Sequence, residues 1–358
     1  MSITTVLVAE ENLKPIPSGD LTFGRHFSDH MFTYKYSEGK GWYDATIEPY
    51  APFSFDPATA VLHYAQEIFE GLKAYRRPDG DINLFRPDQN AARFNRSAAR
   101  MAMAEVDEKE HVDAIIKLVE TDQQWVPSEA GSSYYIRPTM IATQVGLGPT
   151  ASTDYLHFII GCPVGAYFKN GFKPVPIYIS DHYRRAVRGG VGDAKTGGNY
   201  AASLFVGKEA VAKGYSQVLW LDAIEGRFIE EVGAMNIMFV YGNKIVTPAL
   251  TGSILPGITR MSVIELALDL GYEVSEETLD VHDVLADIES GKITEVFGCG
   301  TAAVVSPVGS FGYKDKAYVI NNNETGPVAE KVYEQLTGIQ YGLIEDRFGW
   351  TRTIKATK

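Results

Sequence analysis

The stretch GGVGDAKTGGNYAASL, residues 189–204, places one lysine, Lys195, among five glycines. A lysine amine is a chemical reagent as well as a charge, because it forms Schiff bases with carbonyl cofactors and substrates. Glycines permit close approach of the backbone to a bound group. The stretch therefore raises two possibilities, a phosphate-cradling loop and a covalent lysine site.

The phosphate-cradling pattern G-x-x-x-x-G-K-[ST] requires a glycine where this sequence has Ala194. It also requires a strand that leads directly into the loop and a helix that begins at the lysine. Here residues 181–188 separate the predicted strand PVPIYIS from the glycines, and two more glycines follow the lysine. A nucleotide-binding module, which would bring Mg²⁺ dependence, is left as a remote alternative.

A lysine that binds pyridoxal phosphate needs partners for the ring nitrogen and the phenolate oxygen of that cofactor. Tyr200 follows Lys195 by five residues and could donate to the phenolate oxygen. Glu231 lies on a predicted strand, IEEVGAMN, where a carboxylate could keep a pyridinium protonated. Glu230 and Glu231 are neighbours on this strand and point to opposite faces, so only one can meet the ring.

Two segments could bind the phosphate of such a cofactor. The sequence LPGITRMSVIEL places Ile258 and Thr259 at the start of a predicted helix, where free amides and the helix dipole favour an anion. The sequence FGCGTAAVV supplies a second turn of small residues with Thr301, which could form an anion-binding nest. Every partner that the cofactor needs is therefore present in the sequence.

The length of 358 residues predicts two domains, because it exceeds what one hydrophobic core fills. Gly165, Gly171 and Pro174 interrupt the apolar runs near residue 170. We therefore predict a smaller N-terminal α+β domain over 1–161, a linker over 162–173 and a larger C-terminal α+β domain over 174–358. The N-terminal half contains predicted strands in LTFGRHFSDHMFTYKYS, SSYYIRPTMIAT and YLHFIIGCPV, and a predicted helix in DQNAARFNRSAARMAMAEV with Asp88 as its N-cap.

The C-terminal half mixes strands and helices without a regular βαβ rhythm, which predicts an α+β fold. In the predicted helix TRMSVIELALDLGY, the residues Met261, Ile264 and Leu268 have the spacing of a buried face. The other predicted elements are the strands PVPIYIS and SQVLWLDA, a helix in NYAASLFVGKEAVAKG, a hairpin in RFIEEVGAMNIMFVYGNKIVTPAL, a strand pair in ITEVFGCGTAAVVSPVGSFGY and a helix in GPVAEKVYEQLTGIQYGL.

Composition narrows the classes of protein. A net charge of −12 argues against nucleic acid and anionic membranes as partners, and no apolar run approaches the roughly 20 residues that span a bilayer. The only cysteines, Cys162 and Cys299, exclude a disulfide framework and a cysteine-clustered zinc site. The first residues lack a cationic leader, so a cytoplasmic location is expected. His26 and His30 lie in a segment of strand composition, so no metal site is expected there.

Six motifs together resemble the branched-chain amino acid aminotransferases, fold type IV pyridoxal-phosphate enzymes that share the fold of D-amino acid aminotransferase. They are GGVGDAKTGGNY, IEEVGAMN, LPGITR, FGCGTAAVVSPVG, HYAQEIFEGLKAY and YYIRPTM, and they run in family order from about Phe23 to Gly342. The resemblance implies a pyridoxal 5′-phosphate cofactor. It also implies reversible transfer of the amino group of L-leucine, L-isoleucine or L-valine to 2-oxoglutarate, which gives branched-chain 2-oxo acids and L-glutamate.

The resemblance also assigns roles to residues that contact the cofactor. Lys195 would carry the Schiff base and move the proton between the substrate α-carbon and the cofactor. Tyr200 would bind the phenolate oxygen and Glu231 the ring nitrogen. The phosphate would be held by Arg93, Ile258, Thr259 and Thr301.

The substrate pocket implied by the family combines an aromatic cage with one cation. The α-carboxylate would lie on the amides of Ala234 and Ala302. Arg137 would bind the distal carboxylate of glutamate or 2-oxoglutarate, with a surface ion pair as the alternative. The cage residues, for which plain core packing is the alternative, would be Phe27, Tyr64, Phe69 and Tyr135.

The sequence departs from the family at several positions. Ala303 and Ser306 stand where mammalian relatives carry a C-x-x-C pair, so that redox switch should be absent. Ala234 replaces a usual threonine, and Cys299 is expected to be a packed residue without a role. A basic run before the lysine loop is expected to be a solvated turn or an interface rim; it comprises Tyr183, Arg184, Arg185 and Arg188.

The resemblance further implies a homodimer or a dimer of dimers, in which residues of the N-terminal domain complete the pocket of the neighbouring subunit. A D-amino acid aminotransferase and an aminodeoxychorismate lyase remain as alternatives, because they share the fold and the lysine. The segments around Tyr64, Phe69 and Tyr135 favour the branched-chain enzyme.

Overall fold

The structure, a computed structural model, describes residues 1–19, 21–165 and 172–357. The chain divides into two compact units: unit 1 comprises Met1–Tyr167, Ala194–Gly197 and Ile339–Lys358, and unit 2 comprises Phe168–Asp193 and Gly198–Gly338. The predicted domains had a single linker at 162–173 and therefore differ from this division. Residues 166–171 of that linker lie outside the described residues.

The described residues form strands and α-helices that alternate irregularly along the chain, so the predicted α+β class is confirmed. The strands are β1 (Thr4–Thr5), β2 (His30–Ser37), β3 (Gly41–Pro49), β4 (Glu67–Phe69), β5 (Leu72–Arg76), β6 (Ile82–Phe85), β7 (Ser133–Ala142), β8 (Asp154–Val164), β9 (Val175–Ile179), β10 (Gln217–Leu221), β11 (Ile229–Val232), β12 (Asn236–Tyr241), β13 (Lys244–Pro248), β14 (Glu273–Glu277), β15 (Glu295–Gly300), β16 (Val304–Tyr313), β17 (Lys316–Val319) and β18 (Thr351–Ile354). The helices are α1 (Val61–Tyr64), α2 (Pro87–Arg100), α3 (Glu108–Thr121), α4 (Gly197–Ala201), α5 (Leu204–Ala212), α6 (Ile258–Asp269), α7 (Val281–Glu289) and α8 (Pro327–Gln340).

Unit 1 is built on a sheet with the strand order β1-β3-β2-β8-β7-β5-β6-β18, and β4 pairs with β7 beside this path. The β2 strand begins at His30, nine residues after the start of the predicted strand. The segment between Gly24 and Asp29 is not strand, and Gly24 has a left-handed φ of +68°, which interrupts extended backbone. This segment instead forms one wall of the pocket described below.

The helices α2 and α3 provide the apolar faces that fill the core of unit 1. The predicted helix over 88–106 ends at Arg100, and α3 starts a new helix whose N-cap Asp107 accepts the amide of Glu110. Asp88 lies in the first turn of α2 rather than at its N-cap, because Pro87 already occupies the first helical position. The largest fully buried members of this core include Phe32, Ile68, Leu84 and Phe94.

Unit 2 is built on a second sheet with the order β11-β10-β9-β16-β15-β12-β13-β14, and β17 pairs with β16. The predicted hairpin over 227–250 forms three strands, of which β12 and β13 make the antiparallel hairpin. The predicted helix over 199–214 is divided into α4 and α5. The predicted strand pair at 293–313 is present as β15 and β16.

The predicted buried face of α6 is wrong. Met261 and Ile264 are only partly buried, and Leu268 is 55% exposed. The helix instead buries Arg260 and Ser262, whose polar groups donate to the carbonyls of Pro248 at 2.9 Å and Ile258 at 3.0 Å. Val263, Leu266 and Ala267 also have helical spacing and are buried on the same helix, so the sequence offered two apolar faces and the packing of unit 2 selected this one.

The described residues contain no helix that combines the length and the apolar character needed to cross a membrane. Cys162 and Cys299 are both buried free thiols. Burial raises the pKa of Cys299 to about 12, which agrees with an unreactive packed residue.

Two histidines stack inside the core of unit 1. The rings of His111 and His157 lie 5.0 Å apart between centroids and are inclined by only 4°. His157 hydrogen-bonds the carbonyl of Thr139 at 2.9 Å, whereas neither ring nitrogen of His111 has a hydrogen-bond partner in the described residues. Burial lowers the pKa of His157 to about 4 and that of His111 well below its usual value.

We expect acid to destabilise unit 1 through this pair. Below pH 6.5, the ordinary pKa of histidine, the unfolded chain binds protons that the folded pair rejects. Stability should therefore fall as the pH is lowered from 6.5 towards about 4. His111→Phe should make the melting temperature less dependent on pH, whereas the exposed His282→Phe control should keep the original slope. Equal slopes in both variants would contradict this origin.

Candidate active site

Unit 1 fixes the main chain of Lys195 by hydrogen bonds on both sides. The amide of Phe69 donates to the Lys195 carbonyl at 3.0 Å, and the Lys195 amide donates to Oγ of Ser97 at 2.9 Å. The hydroxyl of Thr196 donates to the carbonyl of Glu67 at 2.7 Å. The Lys195 ammonium lies 5.0 Å from the ring centroid of Phe69. The lysine is therefore held against β4 with its amine beside an aromatic ring.

Two glycines of the lysine stretch are explained by close approaches. The amide of Gly197 donates to Oε1 of Glu67 at 2.5 Å, and a Cβ at this position would lie 2.1 Å from that oxygen. A Cβ at Gly192 would lie 2.3 Å from the carbonyl oxygen of Ser253. Since no side chain fits at either point, Gly192 serves close packing within unit 2 and Gly197 serves close packing within unit 1.

A buried ion pair lies next to the lysine in unit 1. Glu70 accepts from Nε of Arg93 at 2.7 Å and from Nη2 at 2.9 Å, and Asn90 donates to the same carboxylate at 2.7 Å. Burial raises the pKa of Glu70, but the charges of Arg93 and Lys195 outweigh it and lower the pKa below its usual value. Glu70 therefore orients Arg93. The acidic residue inside FEGLKAY was the signal that sequence reasoning missed.

Unit 1 contains a pocket of about 130 Å³ whose walls are mostly apolar. Two of the predicted cage residues, Phe27 and Tyr135, line it together with Arg137. Phe23 also lines it and contacts the Tyr135 ring edge-on, with centroids 4.7 Å apart. The sequence did not indicate the remaining lining residues, which are Phe23, Gly24, Ile160, Gly161 and Cys162.

Arg137 is the cation of this pocket. Its guanidinium lies 4.6 Å from the ring centroid of Phe69, and its Nη2 donates to the hydroxyl of Tyr135 at 3.0 Å. Its Nε is buried and has no hydrogen-bond partner among the described residues. The guanidinium is thus held in place by aromatic rings and keeps donor capacity for an anion.

Tyr64 lies elsewhere in unit 1. It ends α1 with 44% of its surface exposed, and its hydroxyl donates to the carbonyl of Leu147. It does not line the pocket that contains Phe27, Tyr135 and Arg137. Within unit 1, the structure therefore brings Phe27, Tyr135 and Arg137 together but not Tyr64.

In unit 2, Glu231 is a buried carboxylate. Its Oε1 accepts the amide of Leu255 at 2.6 Å, and its Oε2 lies 3.0 Å from Nε of Arg185. Glu230, its neighbour on β11, accepts the hydroxyl of Ser253 instead. Both glutamates are buried. Their side chains point to opposite faces of the strand and therefore have different hydrogen-bond partners.

The expectation that the basic run is solvated is wrong for Arg185, which is only 9% exposed. Its Nη2 donates to the carbonyls of Ser253 at 2.5 Å and Gly192 at 3.3 Å. Arg185 therefore ties β11, the loop before α6 and the start of the lysine stretch together. Exposure fits the prediction at Tyr183 and Arg188, whereas Arg184 is half-buried.

The start of α6 has the properties of an anion site. Its N-cap Gly257 has extended backbone and supplies no side-chain hydrogen bond to the first turn. Ile258 and Thr259 follow it and are buried. The first amides of this 12-residue helix therefore depend on another acceptor, and the helix dipole favours an anionic one.

The other residues predicted to contact cofactor or substrate in unit 2 lie in short irregular segments. Tyr200 lies on α4 and is half-buried. Ala234 follows Gly233 in the turn between β11 and β12. Thr301 and Ala302 form the turn between β15 and β16. These positions are turns and helix ends, where backbone amides can reach a ligand.

A held lysine, buried carboxylates and an uncapped helix start are features of an enzyme of the aminotransferase kind. Residues 67–311 match the family described as amino-transferase class IV. The chain belongs to this family of aminotransferases.

Related aminotransferases are similar in sequence over nearly the whole chain. The probable branched-chain-amino-acid aminotransferase of Streptomyces coelicolor is 54% identical over 93% of this chain and 92% of its own length. The branched-chain-amino-acid transaminase 1 of Bacillus subtilis is 51% identical over 94% of this chain and 95% of its own.

Solved structures agree with the fold. The crystal structure of the Escherichia coli branched-chain amino acid aminotransferase has a TM-score of 0.74 and 28% identity, and the match covers 89% of this chain and 98% of that one. The T.th. branched-chain amino acid aminotransferase with pyridoxamine 5′-phosphate has the same score and identity, with 89% and 97% covered. The predicted fold type IV is confirmed.

Pyridoxal 5′-phosphate is the cofactor of this enzyme class, and the residues present fit it. Its three needs are a lysine amine, a carboxylate for the ring nitrogen and donors for the phosphate. Unit 1 contains the amine of Lys195, and unit 2 contains the buried carboxylate of Glu231. The uncapped first turn of α6 supplies donors for a phosphate.

We expect Arg185→Met to destabilise unit 2 strongly, because it leaves Glu231 buried without its cation. Breaking a buried ion pair by removing one partner costs on the order of 3–5 kcal/mol. The exposed Arg188→Met control should change the free energy of unfolding by about 0.5 kcal/mol or less. Urea denaturation of the two variants measures the difference, and similar midpoints would contradict the ion-pair assignment.

Proposed function

We propose that the protein is a branched-chain amino acid aminotransferase that moves the amino group of L-leucine, L-isoleucine or L-valine reversibly to 2-oxoglutarate. The observation that carries the proposal is the pocket of unit 1, which is apolar except for Arg137. Relatives at 51% and 54% identity that carry the branched-chain name support it.

When bound, pyridoxal 5′-phosphate supplies an electron sink for the charge that develops at the substrate α-carbon. In this proposal Lys195 provides the covalent attachment. Tyr200 would donate to the phenolate oxygen, and Glu231 would hold the ring nitrogen protonated. The phosphate is bound by Arg93, Ile258, Thr259 and Thr301.

Lys195 also moves the proton in this proposal, since its Nζ would take the proton from the substrate α-carbon and pass it to the cofactor carbon. Its backbone is fixed by Phe69 and Ser97, so only the side chain moves during the transfer. The ring of Phe69 beside the amine excludes water from one side. This arrangement favours transfer of the proton by the Lys195 amine over exchange of that proton with water.

The pocket accounts for two kinds of substrate side chain. Phe27, Phe69 and Tyr135 offer aromatic surfaces to the apolar branches of leucine, isoleucine or valine. Arg137, which has donor capacity to spare, binds the distal carboxylate of glutamate or 2-oxoglutarate. The α-carboxylate of either substrate lies on the amides of Ala234 and Ala302.

The proposal includes a homodimer, or a dimer of dimers, in which Tyr64 serves the neighbouring subunit. Tyr64 and Leu147 are joined by a hydrogen bond and are 44% and 62% exposed. Leu62 and Val145 are exposed close to them in sequence. Exposed apolar side chains that cluster are typical of protein interfaces. The expected cytoplasmic location stays a prediction of the same proposal.

We expect Lys195→Ala to lower turnover by several orders of magnitude, because the proton-transfer amine is lost. Exposed Lys208→Ala is the matched control and should retain full turnover. Transamination of L-leucine measures both variants. Substantial turnover by Lys195→Ala would disprove the proposed role of this lysine.

The visible spectrum of the same proteins separates the alternatives. The visible absorbance of lysine-bound cofactor should be present in the native protein and lost on addition of L-leucine but not of D-alanine. Loss with D-alanine alone would favour a D-amino acid aminotransferase. Protein that shows no visible absorbance after incubation with the cofactor would favour the nucleotide-binding alternative.

We expect Arg137→Ala to raise the KM for 2-oxoglutarate much more than that for L-leucine. A charge-assisted hydrogen bond is worth about 1.5–3 kcal/mol, which corresponds to roughly tenfold to a hundredfold in binding. Arg352→Ala, which removes an exposed arginine from β18, is the control. Equal changes for both substrates would show that Arg137 does not distinguish them.

A further inference from the structure

The N-terminal segment that precedes the family motifs is bound to the wall of the substrate pocket. We call residues 8–14 the strap. The amide of Val8 donates to Nε2 of His30 at 3.0 Å, and the amide of Lys14 donates to Oδ1 of Asp29 at 2.9 Å. Both ends of the strap are therefore attached to the two residues that follow the pocket wall in sequence.

These attachment points are rigid. Asp29 is 2% exposed and also accepts the indole N–H of Trp125 at 2.7 Å. His30 is 3% exposed, and its Nδ1 lies 2.7 Å from Oδ1 of Asp122. The strap is thus fastened to buried, fully engaged groups rather than to mobile surface side chains.

The side chain of Lys14 reaches the pocket wall itself. Its ammonium donates to the carbonyls of Ser28 at 2.8 Å and Phe27 at 3.3 Å. It also lies 4.6 Å from the ring centroid of Tyr50. The Phe27 ring stacks on this same Tyr50 ring, with centroids 5.2 Å apart and planes inclined by 6°. Lys14 therefore restrains both the backbone of Phe27 and the ring on which its side chain rests.

The restraint matters because residues 24–29, which contain Phe27, belong to no strand in the part of the chain that the structure describes. Phe27 precedes β2, and the nearby Gly24 has a left-handed φ of +68°. Ser28 connects the segment to the floor of the pocket through its amide, which donates to the Gly161 carbonyl at 3.0 Å. Its hydroxyl lies 2.7 Å from that of Tyr134. Lys14 supplies hydrogen bonds to this segment from the strap side.

We propose that the strap sets the position of the Phe27 wall and that Lys14 is a positioning residue for apolar substrates. The inference rests on the proposed function, because it requires Phe27 to contact the substrate side chain. Phe27 is apolar, whereas the distal carboxylate of 2-oxoglutarate is assigned to Arg137. Loss of Lys14 therefore affects leucine more than 2-oxoglutarate.

The test compares Lys14→Met with Lys40→Met in the full-length enzyme saturated with pyridoxal 5′-phosphate. Lys40 is a matched control, because its ammonium also lies over a tyrosine of unit 1, 3.1 Å from the Tyr43 centroid, but does not contact the pocket wall. Lys14→Met should raise the KM for L-leucine by about tenfold, the scale of an apolar contact partly lost. The KM for 2-oxoglutarate and the kcat should change less than about twofold, because the lost contact stabilises bound leucine equally in the ground state and the transition state. Lys40→Met should behave as the native enzyme.

Lys14→Arg tests the contacts more directly, because a guanidinium can donate to both carbonyls and stack on Tyr50. The KM of Lys14→Arg for L-leucine should therefore be close to that of the native enzyme. If Lys14→Met does not fold, as judged by its melting temperature and its visible absorbance, Lys14→Gln takes its place with the same expected direction. A fall in kcat and a rise of both KM values in equal proportion would overturn the inference in favour of a structural role.

Phe27→Ala separates the inference from the proposed function. An unchanged leucine KM in Phe27→Ala would show that the pocket is wrongly assigned. A raised leucine KM in Phe27→Ala together with an unchanged one in Lys14→Met would overturn the strap inference alone. In the double variant, Lys14→Met should add no further increase, since Phe27 is the residue through which Lys14 acts.

Discussion

The hydrogen bonds that hold residues 194–197 on β4 are the constraint on which the candidate site depends. They fix the main chain of Lys195, and its ammonium lies beside the ring of Phe69. The same bonds explain why unit 1 includes these four residues although the chain before and after them belongs to unit 2. A reactive amine needs such fixation, because proton transfer is efficient only when the donor is positioned in advance.

Buried ion pairs provide the second level of organisation. Glu70 with Arg93 and Glu231 with Arg185 each place both charges out of solvent. The desolvation cost of burying both charges makes such pairs weak contributors to stability. We infer that their role is to orient the paired side chains. In each pair, a residue to which sequence reasoning assigned no role at the cofactor holds one to which it assigned such a role: Glu70 holds Arg93, and Arg185 holds Glu231. The proposed phosphate and ring-nitrogen partners are thus preorganised in the protein itself.

The pocket of unit 1 solves a problem of chemical compatibility. An apolar side chain and a carboxylate make opposite demands on a binding site, and an unpaired buried cation would normally be costly. Arg137 meets both demands because the rings of Phe69 and Tyr135 support its guanidinium and its Nε has no hydrogen-bond partner among the described residues. The pocket wall at Phe27 is supported by the strap, residues 8–14, which lies outside the family motifs.

The sequence by itself determined the chemistry and most of the local structure. Lys195 among glycines, the paired glutamates on a strand, and Ile258 and Thr259 at the start of a helix were all identified there, because residue type and short spacing govern these features. Tertiary structure alone decided the partners: Arg185 is buried on Glu231, Tyr64 is exposed, and α6 buries Arg260 rather than Leu268. The physical reason is that burial and long-range hydrogen bonds depend on which elements pack together, and local spacing contains no information about that packing.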